Sequence, residues 1–284
     1  MPSTGRSDRV SGAVPPAAAI AGGAVLLGAV LPAPGPSADS AGPGDPALAA
    51  VEKYDDDFGG DPDAALFPAE AAVLTRAVDK RRREFTTGRI CAHRALRALG
   101  EAAVPILPGE HREPRWPDGV VGSITHTAGY RAAVVARTVA GRAVSVGIDA
   151  EPNEATPGGV LREISLPDER DRLTELGRAH PAVAWDRLLF SAKESVYKAW
   201  FPLARRWLGF ADADLTLTVE GDHNHDDGGP GFGAGGDGLV ARGGFQARLL
   251  VAGPVLPTGE ELTGFTGRWV VGRGLLVTAI ALGC

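Results

Sequence analysis

Two short segments constrain this chain more than any other feature: SVGIDAEP at 145–152 and LLFSAKESVYKAWFP at 188–202. The first alternates its side chains and is closed by a proline, the pattern of a two-faced strand over 144–150. Asp149 and Glu151 then project from one face while Val146 and Ile148 pack on the other. The second segment repeats Leu188, Leu189, Ala192, Val196 and Ala199 at helical spacing, predicting a helix over 181–200. Glu194 and Lys198 are left as an i, i+4 pair on its other side. Neighbouring carboxylates repel unless a positive charge lies between them, so this spacing favours a hard divalent cation with oxygen ligands. Two solvated acids at a strand end would carry the same spacing, and a Glu–Lys pair is also ordinary helix support worth ~0.2–0.5 kcal/mol. Phe190, Tyr197, Trp200, Phe201 and Trp207 argue instead for a half-buried wall in which charges need partners. Together the segments read as a site for a metal ion and a diphosphate.

A net charge of -6 argues against a general nucleic-acid binder, so an anionic ligand must be met by a local basic cluster. One occurs on a helix predicted over 80–99, which carries Lys80, Arg81, Arg82, Arg83, Arg89, His93, Arg94 and Arg97 and stops at Gly100. Its apolar face takes Phe85, Ala92, Leu96 and Leu99. Arg81 and Arg89 lie two turns apart on roughly one face, and the planar guanidinium fork suits phosphate. A shorter helix starts at Pro68, with Glu70 at its positive end and an expected apolar stripe of Ala72, Val73, Ala77 and Val78. With only Cys91 and Cys284, no disulfide framework is implied and a reducing cytoplasm fits.

The apolar run after Arg6 and Arg9 superficially resembles a signal peptide, but Pro15 and Pro16 interrupt it and it is too short to span a bilayer. The expected order is a disordered extension over 1–24, a buried strand over 25–31, and a loop over 32–62 that contains Asp55, Asp56 and Asp57. Further on, strands over 120–126 and 130–136 flank an Ala128-Gly129 turn, which puts His126 at a strand end beside Ser123 and Thr125. A short helix over 167–176 follows, then strands over 213–219, 244–251 and 268–282. The Gly/Asp-rich stretch 221–244 reads as a flexible insert in which His223 and His225 lack the rigid support that a metal site needs. FTTGRICAHRAL from Phe85 and FSAKESVYKAW from Phe190 superimpose apolar on apolar, setting Arg89 opposite Glu194 and His93 opposite Lys198.

Four segments in this order, RRREFTTGRICAHRALRALG, REPRWPDGVVGSITHTAGYRAAV, SVGIDAEP and LLFSAKESVYKAWFPLARRWLGF, give the chain a resemblance to a known family. It resembles the 4'-phosphopantetheinyl transferases of the Sfp and enterobactin-synthase branch, most of all the actinobacterial type. The resemblance implies an α/β (α+β) fold made of a pseudo-two-fold pair of similar halves, each with helices packed on a small, mainly antiparallel sheet. The halves would be 25–148 and 149–284. It implies transfer of the phosphopantetheine arm of coenzyme A to a serine of an apo acyl or peptidyl carrier protein of fatty-acid, polyketide or nonribosomal peptide synthases. Adenosine 3',5'-bisphosphate would be released and Mg2+ required, with Mn2+ as a substitute.

Matched residue by residue, the resemblance makes Asp149, Glu151 and Glu194 metal ligands, with the Ala150 carbonyl between the first two. Glu194 is also the general base, and Lys198 lies at the diphosphate with Lys193 as a neighbouring phosphate contact. Thr125 and His126 match the element that holds coenzyme A phosphates, and Arg81 and Arg89 match the arginines at the 3'-phosphate. His111, Arg112, Glu113 and Pro114 complete the coenzyme A contacts, the first two standing where relatives carry a lysine. Trp116, Arg205, Arg206 and Trp207 are candidates for the carrier-facing surface. A cytoplasmic monomer that binds neither membrane nor nucleic acid is expected. A non-catalytic coenzyme A binder and a Mg2+-dependent diphosphate hydrolase are the alternatives.

Overall fold

The structure, a computed structural model, describes residues 19–20, 25–31, 47–54, 66–138, 144–221 and 238–283. Two sheets organise it. The first joins β1 (Ala19–Ile20), β2 (Leu48–Lys53), β3 (Val120–Thr127) and β4 (Tyr130–Arg137) in the order β1-β2-β4-β3, antiparallel except for β1 beside β2. Its inner strand β4 carries an unbroken apolar run over 132–136 because both of its faces are covered. Ala133 and Val135 meet Cys91, Ala92, Ala95, Leu96 and Leu99 around the long helix α3 (Asp79–Ala98), whereas Tyr130, Ala132 and Val134 enter a core shared with the second sheet.

The second sheet is antiparallel throughout, with β5 (Ser145–Pro152), β6 (Ala213–Val219), β7 (Leu239–Leu249), β8 (Gly264–Gly272) and β9 (Leu275–Leu282) in the order β5-β9-β8-β7-β6. The long helix α6 (Trp185–Ala204) covers it, burying Leu188, Leu189, Ala192, Val196 and Ala199 with Phe245, Trp269 and Ile280. Val146, Ile148 and Ala150 on the other face of β5 join the shared core, as the alternation predicts. The mixed α/β class with helices on antiparallel sheets is therefore the observed one. α3 and α6 are 20 residues each.

The halves also repeat a device at the start of a shorter helix. α2 (Pro68–Val73) and α5 (Pro167–Ala179), the latter just after the short α4 (Val160–Ile164), both begin with proline and carry a buried glutamate two residues later. Glu70 accepts hydrogen bonds from Phe67 N–H (3.0 Å) and Ile106 N–H (2.7 Å) and lies 3.0 Å from His93 Nε2 of α3. Glu169 accepts from Leu166 N–H (2.7 Å), Leu215 N–H (2.8 Å) and Lys193 Nζ of α6 (2.8 Å). Each glutamate caps its own helix and ties it to the long helix of its half.

Several expectations fail for identifiable reasons. Residues expected as a strand over 25–31 form the helix α1 (Val25–Val30), because a short unbroken apolar run carries no period that separates the two structures. Its first-turn amides at Leu26 and Leu27 donate to the Glu52 carboxylate (3.3 and 3.1 Å), and Leu26, Leu27 and Val30 fill the shared core. Glu52 lies on β2, a strand inside the supposed loop 32–62; Asp55, Asp56 and Asp57 fall outside the described residues. In the supposed extension, Ala19 and Ile20 pair with β2, and 1–18 and 21–24 are not described.

The stripe expected after Pro68 is not inward, since α2 stops after six residues and leaves Val73 and Val78 exposed while Leu74 and Glu70 bury. The run 268–282 is two strands, β8 and β9, joined by a hairpin in which Arg273 (φ 55) and Gly274 (φ 74) both take the left-handed region such turns require. β7 starts at Leu239 and so takes residues assigned to the insert; His223 and His225 lie outside the described residues. The hairpin β3–β4 and the helix α3 fall where they were predicted, and α6 runs to Ala204.

Candidate active site

Glycine at position 147 brings the two acidic segments together. A Cβ there would lie 2.1 Å from Ser195 O and 2.8 Å from Ala199 N, so α6 rests directly on β5. Ser145 Oγ donates to Ala199 O (2.7 Å), and Ser195 Oγ lies 2.6 Å from Thr278 Oγ1 of β9. The helix is thus fixed with Lys198 over Asp149.

Lys198 Nζ donates to Asp149 Oδ1 (2.7 Å) and to Ile148 O (3.0 Å), and Thr125 Oγ1 donates to the same Oδ1 (3.2 Å). Asp149 is 6% exposed, and its Oδ2 is buried with no hydrogen-bond partner. Arg187, two turns before Glu194 on α6, pairs with Glu151 Oε2 (3.3 Å) and donates to Glu154 O and Ala155 O. Sequence reasoning passed over this arginine, although its seven-residue offset from Glu194 places both on one helical face.

The carboxylates lie in one another's field. Glu151 is pushed up to about 7, first by burial and then by Asp149, with Glu194 adding to the effect and Arg187 and Lys198 opposing it. Glu194 is also raised, by burial first and by Asp149, against Lys198. Three carboxylates face two cationic side chains, and one buried oxygen is orphaned. Such an oxygen-only set lacks a positive charge and fits a hard cation. The Ala150 N–H donates to Thr125 on the β3 side, so in an antiparallel strand its carbonyl turns to that same side, off the β9 ladder. Among the described residues no three His, Cys, Asp or Glu side chains are yet gathered closely enough to ligate an ion.

A stability consequence follows from Glu151. Its folded-state value lies above the ordinary carboxylate value, so the metal-free fold loses stability as pH rises from that value through about 7. Glu151→Gln is expected to match wild type at pH 5 and to melt about 2 °C higher at pH 8 in a chelator; solvent screening and the lost Arg187 pair keep the gain small. Calorimetry at the two pH values checks it, and a variant melting below wild type at pH 8 would contradict the repulsion.

Beside these groups lies a cleft of about 630 Å³, lined by His111, Arg112, Glu113, Pro114 and Trp116 on one side, by the start of β3, and by Glu194, Tyr197, Lys198, Phe201 and Arg205 of α6 and its C-terminus. The 109–115 loop is closed by Gly109 N–H on Glu113 O (2.7 Å) and Arg115 N–H on Leu107 O (2.9 Å). The His111 ring packs on Phe201, and Glu113 pairs with Arg205 at 3.8 Å. Four expected coenzyme A contacts are therefore brought to Glu194 and Lys198. Tyr197 and Phe201, expected in a half-buried aromatic wall, line this cleft.

The basic helix is placed differently. Arg89 is buried, donates Nε to Ile106 O (2.7 Å) and stacks on Phe85, which Arg81 also covers. Burial first, with Arg81 beside it, pushes Arg89 down to about 10. His126 is held below its ordinary value by desolvation first, then by Arg81, Arg131 and Lys198, against Glu84. Arg81, Arg89 and His126 lie outside the cleft lining, and the field at His126 links Arg81 to Lys198.

Two expectations are corrected. Lys193, expected at a phosphate, is buried with all three ammonium protons engaged: Glu169 Oε2 (2.8 Å), Phe210 O (2.6 Å) and Ala213 O (3.1 Å). Thr125, expected at the same phosphates, is buried between β3 and β5, where it accepts from Ala150 N–H and donates to Asp149.

Residues 69–136 match the sequence model of the 4'-phosphopantetheinyl transferase N-terminal domain, and residues 145–231 match that of the 4'-phosphopantetheinyl transferase superfamily. The chain is 49% identical over 237 residues to 4'-phosphopantetheinyl transferase Svp of Streptomyces mobaraensis, covering 84% of this chain and 87% of that protein. It is 49% identical over 236 residues to 4'-phosphopantetheinyl transferase PptT of Mycobacterium tuberculosis, covering 83% of this chain and 92% of that one. Enterobactin synthase component D of Escherichia coli K12 is 40% identical over 130 residues, 45% of this chain and 59% of its own. Among the described residues no helix is long and apolar enough to cross a membrane.

Proposed function

The chain belongs to the 4'-phosphopantetheinyl transferase superfamily, and from that premise we propose that it transfers the phosphopantetheine arm of coenzyme A to a serine of apo carrier proteins, releasing adenosine 3',5'-bisphosphate. The observation that carries the reading is the convergence of Asp149, Glu194 and Lys198 beside the cleft. Asp149, Glu151 and Glu194, with the Ala150 carbonyl, would hold Mg2+ or Mn2+. When bound, the cation supplies positive charge to the diphosphate and the departing bisphosphate.

The chain's own residues supply the rest. Lys198 turns from Asp149 toward the diphosphate, while Arg112 offers charge and His111 a ring N–H donor from the opposite wall of the cleft. Arg81, Arg89 and His126 form the basic region for the 3'-phosphate end, with Arg89 oriented by Ile106 O and the Phe85 ring. The carrier serine oxygen forms a bond to the β-phosphorus as the bond from that phosphorus to adenosine bisphosphate breaks, and the serine proton goes to Glu194. Glu194 lines the cleft, where its carboxylate is placed to accept that proton. The carriers are acyl or peptidyl carriers of fatty-acid, polyketide or nonribosomal peptide synthases, and the enzyme acts as a cytoplasmic monomer.

Glu194→Gln is expected to lower kcat about 10²-fold and to remove the acid limb of the pH–rate profile. Wild-type kcat in that variant, with the limb intact, would remove Glu194 as the base.

A further inference from the structure

β5 is the outer strand of its sheet, so amides on its free edge need acceptors away from β9. They find hydroxyl groups instead of a backbone ladder. Ile148 N–H donates to Ser123 Oγ (3.1 Å), and Ala150 N–H donates to Thr125 Oγ1 (3.0 Å). Both bonds advance by two residues in the same chain direction, so β3 and β5 meet along a parallel seam that joins the two halves. Ser123 and Thr125 are both buried within it.

The two hydroxyls differ in one respect. Having accepted from Ala150, Thr125 donates its proton to Asp149 Oδ1 (3.2 Å), the oxygen that also receives Lys198 Nζ (2.7 Å). Both bonds fall on one oxygen, and Oδ2 is buried without a partner. An unrestrained carboxylate turns about a broad, two-fold χ2 torsion and exchanges its oxygens. One gripped at a single oxygen from β3 and from α6 is held in one orientation.

We propose that Thr125 is a positioning residue for the cation site: it orients Asp149 so that Oδ2 is presented as a ligand, whereas Ser123 accepts from Ile148 and makes no such bond to Asp149. The inference rests on the cation-dependent reading above. Hydrogen bonds behind a metal ligand typically change affinity by about 10–100-fold when lost. Valine keeps the shape of threonine and cannot make either bond; serine keeps both.

The test is Mn2+ binding to the metal-free full chain, read from the paramagnetic resonance of the free ion, alongside thermal unfolding in chelator. Wild type, Asp149→Ala, Ser123→Ala, Thr125→Val, Thr125→Ala and Thr125→Ser are compared, the alanine variant standing in should valine not fold. Thr125→Val is expected to bind Mn2+ about tenfold more weakly, with Thr125→Ser restored to wild-type affinity. Ser123→Ala is expected to lose thermal stability while keeping wild-type affinity. Wild-type affinity in both Thr125→Val and Thr125→Ala, or an equal loss in Ser123→Ala, would overturn the positioning role. Wild type binding no better than Asp149→Ala would overturn the cation reading itself, and that failure is distinguishable because it appears without any change at Thr125.

Discussion

Replacing Asp149 with alanine is expected to reduce carrier modification on the order of 10³-fold while the protein remains folded. Asp149 holds Lys198 at 2.7 Å, receives Thr125, and carries the orphaned oxygen, so its loss removes a ligand and the anchor of the lysine together. The fold should survive because the carboxylate buries little apolar surface and repels the neighbouring carboxylates, while the Lys198 side chain, 26% exposed, keeps access to water. Asp149 is the foremost charge that raises Glu151, so in the variant Glu151 should titrate below about 7. Initial rates of carrier modification, with circular dichroism as the control for folding, check this. A folded variant within tenfold of wild-type rate would contradict the assignment.

Glu169→Ala is expected to destabilise the protein by about 3–5 kcal/mol, a large share of the roughly 5–15 kcal/mol that a domain has in total. The glutamate is 1% exposed and answers three donors: Leu166 N–H, Leu215 N–H and Lys193 Nζ. Removing it strands a buried ammonium on two carbonyls and leaves two amides without acceptors, and an uncompensated buried charge is the costly half of a broken pair. Burial already lowers Lys193 from its ordinary value, with Glu169 opposing that shift, so without the carboxylate the lysine would shed its proton more readily. Urea unfolding measures the change. The double variant Glu169→Leu/Lys193→Met should recover part of the loss, and a single-variant loss below about 1 kcal/mol would show that the pair is not structural.

The long-helix and hairpin elements were legible in the sequence because their periods are long and their ends punctuated. α3 stops just before Gly100, and β5 is closed by Pro152 with its acids on one face. Partner choice was not legible. Periodicity places Lys193 on α6 but says nothing of a carboxylate supplied by α5; the family resemblance alone made it a phosphate contact, and it is a buried tie. Thr125 fails similarly, because only the parallel seam with β5 shows where its proton goes. One signal was available and passed over: Pro-Ala-Glu at 68–70 and Pro-Asp-Glu at 167–169 start two helices with the same buried glutamate. α1 was lost to ambiguity, since VLLGAV has no period and its helical form depends on Glu52 from another strand.

The central claim, that this cleft transfers the arm of coenzyme A to a carrier serine with a divalent cation, is tested most directly by weighing the carrier. Purified enzyme, coenzyme A and an apo-carrier are incubated with Mg2+ and, in parallel, with a chelator, and the intact carrier is measured by mass spectrometry. The account predicts a carrier heavier by one phosphopantetheine arm with Mg2+ and an unaltered carrier in the chelator. An unaltered carrier in both with coenzyme A cleaved would indicate hydrolysis, an unaltered carrier with intact coenzyme A would indicate binding alone, and equal modification in the chelator would refute the cation; each contradicts the account.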